Sequence, residues 1–141
     1  MEKLTRQSLP FDDYLRLLGA SLCVFNANNA FIIENILGAS LISKTWHDLI
    51  DLESGCLHKD IANTITIQAG NTDIAVLFKE VVDMRNRIIH SFQITSDNDE
   101  QILATKTRST HEQFDITEDY LRDFIKKNEC LCDMLHGHRG F

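Results

Sequence analysis

The segment GNTDIAVLFKEVVDMRNRIIH, residues 70–90, decides the fold class of this 141-residue chain. Its first four residues, Gly-Asn-Thr-Asp, combine a residue that ends helices with residues whose side chains cap the next helix. The segment predicts an amphipathic helix that ends close to His90, with Asp83 and Arg87 able to pair one turn apart on its exposed face. The apolar residues that recur at helical spacing are Ile74, Leu77, Phe78, Val81, Val82, Ile88 and Ile89.

Helical patterns also precede this segment. Between Phe11 and Leu37, apolar residues recur at helical spacing, which predicts one long helix or two helices divided near the asparagines. Asn29 falls on this apolar stripe and is interpreted either as a hydrogen-bonded core residue or as a polar lining for a site or interface. A further helical segment begins at Thr45, whose hydroxyl is placed to cap it, and is expected to turn Trp46 toward the core.

The pattern changes after the central helix. Residues 92–95 and 101–107 flank the turn-forming run 96–100 and predict a β-hairpin or an irregular loop. Thr117 then caps a last amphipathic helix, and the tail from His136 onward is expected to fray. The predicted fold class is mainly α, a four- or five-helix bundle with a short β-hairpin or irregular excursion before the last helix. The whole chain, 1–141, is expected to form a single domain with its core at about residues 11–135.

Composition narrows the class of protein. Hydrophobic residues make up 43% and charged residues 25%, which excludes a disordered chain. The N-terminus lacks the basic-then-apolar order of a secretion signal, and the apolar run at 15–25 is too short to span a bilayer. We therefore expect a cytoplasmic protein with no membrane partner, in which the four cysteines are reduced thiols. The net charge of −7 argues against a protein that coats nucleic acid indiscriminately.

The end of the predicted central helix carries side chains suited to phosphodiester chemistry. Histidine exchanges protons near neutral pH, so His90 is a candidate general acid or base. Arg85 carries a permanent charge that can stabilise a phosphoryl transition state, and Asn86 can orient an oxygen or the imidazole. On a regular helix Asn86 and His90 share a face, whereas Arg85 and His90 point about 140° apart. A site that uses both therefore requires a distortion at the helix end or groups from a second subunit.

The stretch Arg85-Asn86-Arg87-Ile88-Ile89-His90 resembles the Arg-polar-x-x-x-His signature of HEPN domains (higher eukaryotes and prokaryotes nucleotide-binding). The resemblance covers roughly residues 11–135 and includes the helix order and the position of the motif near the end of a central helix. It implies a HEPN-like bundle that forms a homodimer. It also implies a metal-independent endoribonuclease that cleaves RNA by attack of the 2′-hydroxyl, as a toxin or defence effector.

The resemblance further implies the site residues and partners. Arg85, Asn86 and His90 would be catalytic, and no cofactor would be needed. The expected partners are a second copy of the chain, RNA as substrate, and a cognate antitoxin or other partner protein.

Basic residues near the motif are candidates for RNA binding. Arg87, Lys106 and Arg108 would form a basic rim beside the motif and contact the RNA backbone. An ordinary surface of mixed charge explains the same three residues equally well.

Two alternatives concern other chemistry. Cys130, Cys132, His136 and His138 are residue types that bind zinc, and Cys132 and His136 lie one turn apart on a helix. Because Cys130 lies about 200° around the helix from Cys132, the four cannot converge on a regular helix, and we expect no metal site. The other alternative is a non-catalytic helical interaction module, such as an antitoxin, immunity or regulatory subunit that binds a protein or nucleotide partner. The negative net charge favours it.

Overall fold

The computed structural model describes residues 4–139 and has a mainly helical fold with one small antiparallel sheet, which confirms the predicted mainly α class. Within this range there are six α-helices, three of them long and three of only five residues each, rather than the predicted four or five. The elements are α1 (Asp12–Gly38), α2 (Trp46–Ile50), a 3₁₀ helix (Ser54–Leu57), α3 (His58–Ala62), α4 (Ile65–Ala69), α5 (Asp73–Ile89), β1 (Phe92–Thr95), β2 (Gln101–Lys106), β3 (Gln113–Ile116) and α6 (Glu118–Arg139).

The helix boundaries follow from local side-chain chemistry. At the start of α2, Thr45 and Asp48 form a capping box, with the Thr45 N–H donating to the Asp48 carboxylate at 2.8 Å. Gly70 ends α4 in the left-handed conformation, at φ 72°, which glycine adopts without steric cost. The Thr117 hydroxyl accepts from the Tyr120 N–H at 3.1 Å. The predicted caps at Thr45 and Thr117 are confirmed. The helix that follows Gly70 is also confirmed, but its N-cap residue Thr72 makes no side-chain capping bond, and the Asp73 N–H donates instead to the Asn71 Oδ1 at 3.1 Å.

The core lies where α1 packs along α6 and both pack against α5. Phe25 of α1 is its aromatic centre, stacked on Phe78 of α5 at a ring-centre distance of 6.5 Å and on Phe124 of α6 at 6.2 Å. One polar contact crosses the same interface: the Asn28 amide donates to the Asn128 backbone carbonyl at 2.7 Å and to its Oδ1 at 3.0 Å. The three long helices therefore form one packed unit.

Several sequence-based details are wrong. The buried asparagines of α1 are Asn28 and Asn35, whereas Asn29 is only half-buried, although it does accept a hydrogen bond from Ser54. Trp46 is 45% exposed because its short helix turns Leu49 toward the core instead.

The predicted contacts of the central and last helices also need correction. Asp83 pairs with Lys79 at 2.9 Å and not with Arg87. The tail does not fray through residue 139, since α6 continues to Arg139; Gly140 and Phe141 lie outside the described residues.

The sheet has the order β1-β2-β3, with both pairs antiparallel. β1 and β2 form the hairpin that was one of the two sequence-based alternatives, and β3 is a strand that the sequence did not indicate. Tyr14 of α1 fixes the sheet to the helices: its hydroxyl donates to the Ile116 carbonyl at 2.6 Å and accepts from the Leu103 N–H at 3.0 Å. The sheet thus sits at the N-terminal end of α1.

By length and composition alone, α1 is long and apolar enough to cross a membrane, in contrast to the shorter run at 15–25. A third of its most apolar window is buried inside the protein, and its buried residues include the polar Ser21, Asn28 and Asn35. Core helices of soluble proteins show the same length and composition. The packing of α1 against α6 is therefore compatible with a soluble protein.

Candidate active site

The candidate site lies where α5 ends and the chain turns into the sheet. α5 is helical through Ile89, and His90 leaves it at φ −99° and ψ 35° while its N–H still donates to the Asn86 carbonyl at 3.0 Å. Only Ser91 separates His90 from β1. His90 is therefore the last residue with a helical hydrogen bond, and the chain turns away after it.

The three predicted catalytic residues line one cleft of about 360 Å³ in a single chain. Arg85 and His90 diverge on a regular helix, but the cleft is broad enough to be lined by both, together with Asn86 and Ile89 between them. The opposite wall comes from the segment before and within the 3₁₀ helix. The complete lining is Leu52, Glu53, Ser54, Gly55, Arg85, Asn86, Ile89 and His90.

Arg85 is held between the core and this cleft. Its guanidinium carbon lies 4.9 Å from the centre of the Phe25 ring, a cation–π contact. Its Nε is buried and has no hydrogen-bond partner within residues 4–139. Desolvation by burial lowers the pKa of Arg85, and the nearby Glu53 charge opposes that shift. Because no salt bridge to Arg85 is formed in the described part of the chain, its charge is not neutralised by a carboxylate.

Asn86 and His90 also present unused polar groups. His90 is exposed and Asn86 is half-buried. Across residues 4–139, neither side chain bonds another protein group. An amide provides two donors and an acceptor, and an imidazole provides one or two donors according to its charge. The cleft therefore combines a guanidinium, an amide and an imidazole that can all bond the same ligand.

A second depression, of about 370 Å³, adjoins Asn86 on the side of the sheet. Two of the three candidate RNA-binding residues, Arg87 and Arg108, line it, with Thr107 and Ser109. The Arg87 Nη1 donates to the Lys106 carbonyl at 2.6 Å. Lys106 does not line the depression, and its contact with Arg87 is made by its backbone carbonyl only. The structure therefore brings Arg87 and Arg108 together beside the motif and leaves the Lys106 side chain outside.

The sequence missed the wall that faces α5. Glu53, Ser54 and Gly55 lie about thirty positions before Arg85, and no spacing rule connects the two segments. The indication of a binding surface that the sequence did contain lies on α5 itself. Val76 is an apolar residue on its surface, 63% exposed, and it lines a groove that meets the cleft at Asn86.

The alternative metal ligands do not form a cluster. Cys130 is exposed and Cys132 half-buried on the continuous helix α6, and burial raises the pKa of the Cys132 thiol. His136 contacts the Phe31 ring, and the His138 ring bonds Gln68 at 3.0 Å. Within the described range, no group of three or more histidine, cysteine or carboxylate side chains is arranged to hold a metal ion.

The arrangement has a definite chemical capacity. A cation and an amide can bind an anionic group in the cleft while a solvent-accessible imidazole exchanges protons with it. Comparisons with protein-family models, with curated proteins and with solved structures give no match for this chain.

Proposed function

We propose that this chain is a HEPN-type, metal-independent endoribonuclease, with a HEPN-like helical bundle and a cytoplasmic location. One observation carries the proposal: Arg85, Asn86 and His90 line the same cleft with hydrogen-bonding groups that the described chain does not use. These are the residues of the Arg-polar-x-x-x-His motif. A role as a toxin or defence effector, restrained by a cognate antitoxin, would suit such an enzyme.

The proposed reaction is transesterification within RNA. The 2′-hydroxyl oxygen attacks the adjacent phosphorus, the bond from phosphorus to the 5′ oxygen breaks, and the products carry a 2′,3′-cyclic phosphate and a 5′-hydroxyl. His90 removes the proton from the 2′-hydroxyl or gives one to the leaving oxygen. Arg85 stabilises the additional negative charge on the phosphoryl oxygens, and Asn86 orients them.

A homodimer is part of the proposal. One imidazole can act as the base or as the acid at a given moment, so a second copy of the cleft would supply the other group. Ile89, which lines the cleft beside His90, is 47% exposed and offers apolar surface for such a contact.

The test is cleavage of RNA by the full-length chain in the presence of a chelator, with analysis of the product ends. We expect Arg85→Ala and His90→Ala each to lower the cleavage rate at least about 100-fold. Arg122→Ala and His47→Ala, which remove the same residue types from exposed positions outside the cleft, should leave the rate unchanged. Cleavage that persists in either cleft variant, or that the chelator abolishes, contradicts the proposal.

The non-catalytic interaction module is the second candidate. The partial burial of Arg85 over Phe25 favours it, because an arginine packed against the core can serve stability alone. This candidate expects no RNA cleavage by the pure protein. It also expects Arg85→Ala to lower the free energy of unfolding, because the packing of Arg85 over Phe25 is lost.

A further inference from the structure

A groove runs along α5 on the other side of Asn86. One wall is a stripe of α5 that extends over about 21 Å, from Thr72 to Asn86. The opposite wall comes from the 3₁₀ helix and α3. The volume is about 630 Å³, and the lining is Ser54, Gly55, His58, Ile61, Thr72, Ala75, Val76, Phe78, Lys79, Val82, Asp83 and Asn86. We name it the α5 groove.

The α5 groove and the candidate active cleft are continuous. Ser54, Gly55 and Asn86 line both. Asn86 also borders the depression that contains Arg87 and Arg108. A molecule whose anionic group lies beside Arg85 can therefore extend past Asn86 into the groove.

The walls of the groove suit a flat, aromatic ligand with polar edges. Ile61, Val76 and Val82 line it with apolar groups; Val76 is 63% exposed and offers the surface against which a base can pack, whereas Ile61 and Val82 are buried. The His58 ring bonds the Gly55 carbonyl through Nδ1 at 2.9 Å. Because a carbonyl only accepts, Nδ1 carries the proton, and in the neutral ring Nε2 can accept from an amino group. The Asn86 amide supplies both a donor and an acceptor at the inner end.

We propose that the α5 groove binds the nucleobase of the nucleotide next to the scissile phosphate. This inference rests on the proposed function, since the phosphate lies in the cleft beside Arg85. The volume lies within the range of small-ligand sites and accommodates one nucleoside. The base must leave its stack to enter, so the substrate is RNA with an unpaired nucleotide at the cut.

Continuity with the cleft favours a nucleobase over a protein segment. A second copy of the chain that docked along the groove would cover Asn86 and close the passage to Arg85. The charged residues of the groove are Lys79 and Asp83, which neutralise each other at 2.9 Å. The groove therefore recognises an uncharged group, as a base is, while the arginines hold the phosphates.

The experiment uses uncharged nucleosides as probes and the full-length chain, followed by NMR of the methyl groups. Adenosine, guanosine, cytidine and uridine carry no phosphate, so they report on the groove without Arg85. At least one of them should shift the methyl signals of Ile61, Val76 and Val82. Val76→Gln should weaken that binding about fivefold. Ile67→Gln is the matched control, because Ile67 has the same 63% exposure and lies outside the groove.

A second variant fills the junction of the groove and the cleft. A Cβ on Gly55 would lie 3.9 Å from the Val82 Cγ1, an ordinary contact, so the backbone accepts a side chain there and Gly55→Leu should block the inner end of the groove; its circular dichroism is measured first to establish that it is folded. Gly19→Leu, at a position with nothing within 4 Å of the added Cβ, is its control. Loss of nucleoside binding in Gly55→Leu but not in Gly19→Leu supports the proposal.

Four results separate this proposal from the proposed function. Nucleosides that leave the groove methyls unshifted overturn the base site even if RNA is cleaved. A change of oligomeric state in Val76→Gln, measured by sedimentation, also overturns it in favour of a second copy. Nucleoside binding that survives Arg85→Ala supports the base site. The same binding in a protein that cleaves no RNA shows that the groove holds a base, but it overturns the nuclease and with it the position next to a scissile phosphate.

Discussion

The guanidinium carbon of Arg85 lies 4.9 Å from the centre of the Phe25 ring, and that ring stacks against Phe78 and Phe124 in the core. The candidate catalytic cation is therefore positioned by the same aromatic residue that joins the three long helices. A cation–π contact of this kind contributes about 1 kcal/mol. Its main consequence here is geometric, since a change in the core at Phe25 displaces a group in the cleft.

The first prediction separates this positioning role from packing. Phe25→Leu and Phe124→Leu each remove a fully buried ring and should lower the free energy of unfolding by about 1–2 kcal/mol in urea denaturation, with the larger loss for Phe25→Leu, which loses two ring contacts and the cation–π contact. Only Phe25→Leu removes the ring under Arg85, so only this variant should also lower the rate of RNA cleavage at a temperature where both variants are fully folded. Equal rates in the two folded variants would contradict the positioning role.

The second prediction concerns the depression lined by Arg87 and Arg108. Arg108→Ala should weaken the binding of an uncleavable, 2′-deoxy-substituted RNA to a similar degree for all sequences. It should also reduce the slope of log affinity against log salt by about one, because one phosphate contact is lost. Lys126→Ala removes an exposed cation of α6 outside the depression and serves as the control. If the slope changes equally in both variants, Arg108 makes no specific contact with the RNA.

The third prediction concerns the polar contact between α1 and α6. Asn28→Ala leaves the buried Oδ1 of Asn128 without its donor, which should cost about 1–3 kcal/mol of the free energy of unfolding. Asn26→Ala, at an exposed position of the same helix, should cost much less. The urea midpoints of the two variants give the comparison, and equal midpoints would show that the Asn28 amide contributes nothing beyond helix propensity.

The fourth prediction concerns alkaline pH. Burial is the largest cause of the raised pKa of both tyrosines, and it raises that of Tyr120 to about 12 from an ordinary 10.0. The folded state therefore holds these protons more tightly than the unfolded state. The resulting stabilisation is complete below the unfolded pKa and is lost as pH rises from about 10 toward about 12.

The measurement is an absorbance titration of tyrosinate, run in parallel with the circular dichroism of the helices. Tyrosinate should form only as helical structure is lost. Tyr120→Phe should reduce the pH dependence of stability in this range, although it also removes the donor to the Met84 carbonyl. A tyrosine that ionises near its ordinary pKa while the helices stay intact would contradict the burial of that ring.

The parts of the fold that local chemistry determines were predictable from the sequence. The caps at Thr45 and Thr117 depend on residues within one turn, and both are present in the structure. Contacts that depend on tertiary packing were not predictable from the sequence. Asp83 has a cation one turn away on each side, Lys79 and Arg87. It pairs with Lys79, whereas Arg87 donates a hydrogen bond to the Lys106 carbonyl of β2. Asn28 replaces Asn29 in the core because one residue rotates the helix by about 100°.

The candidate site, too, was predictable only where it depends on residues close in sequence. Arg85, Asn86 and His90 are close in sequence, so their chemistry could be inferred from the motif alone. That they share a cleft depends on the facing segment, which closes over the end of α5 just before the sheet begins. The facing wall at Glu53 to Gly55 is set by how the 3₁₀ helix packs against α5, and no pattern within the segment encodes that contact.

The two walls of the cleft differ in how readily they unfold. One belongs to α5, a helix of 17 residues within the packed unit of long helices, and the other belongs to a region built from helices of four or five residues. Helices that short have little stability of their own and rely on a few anchors such as Leu49 and Leu57. In native-state hydrogen exchange, amides of the short helices should therefore exchange before those of α1, α5 and α6. Local unfolding of the wall formed by the short helices then opens the cleft, while Arg85 remains packed against Phe25 in the core.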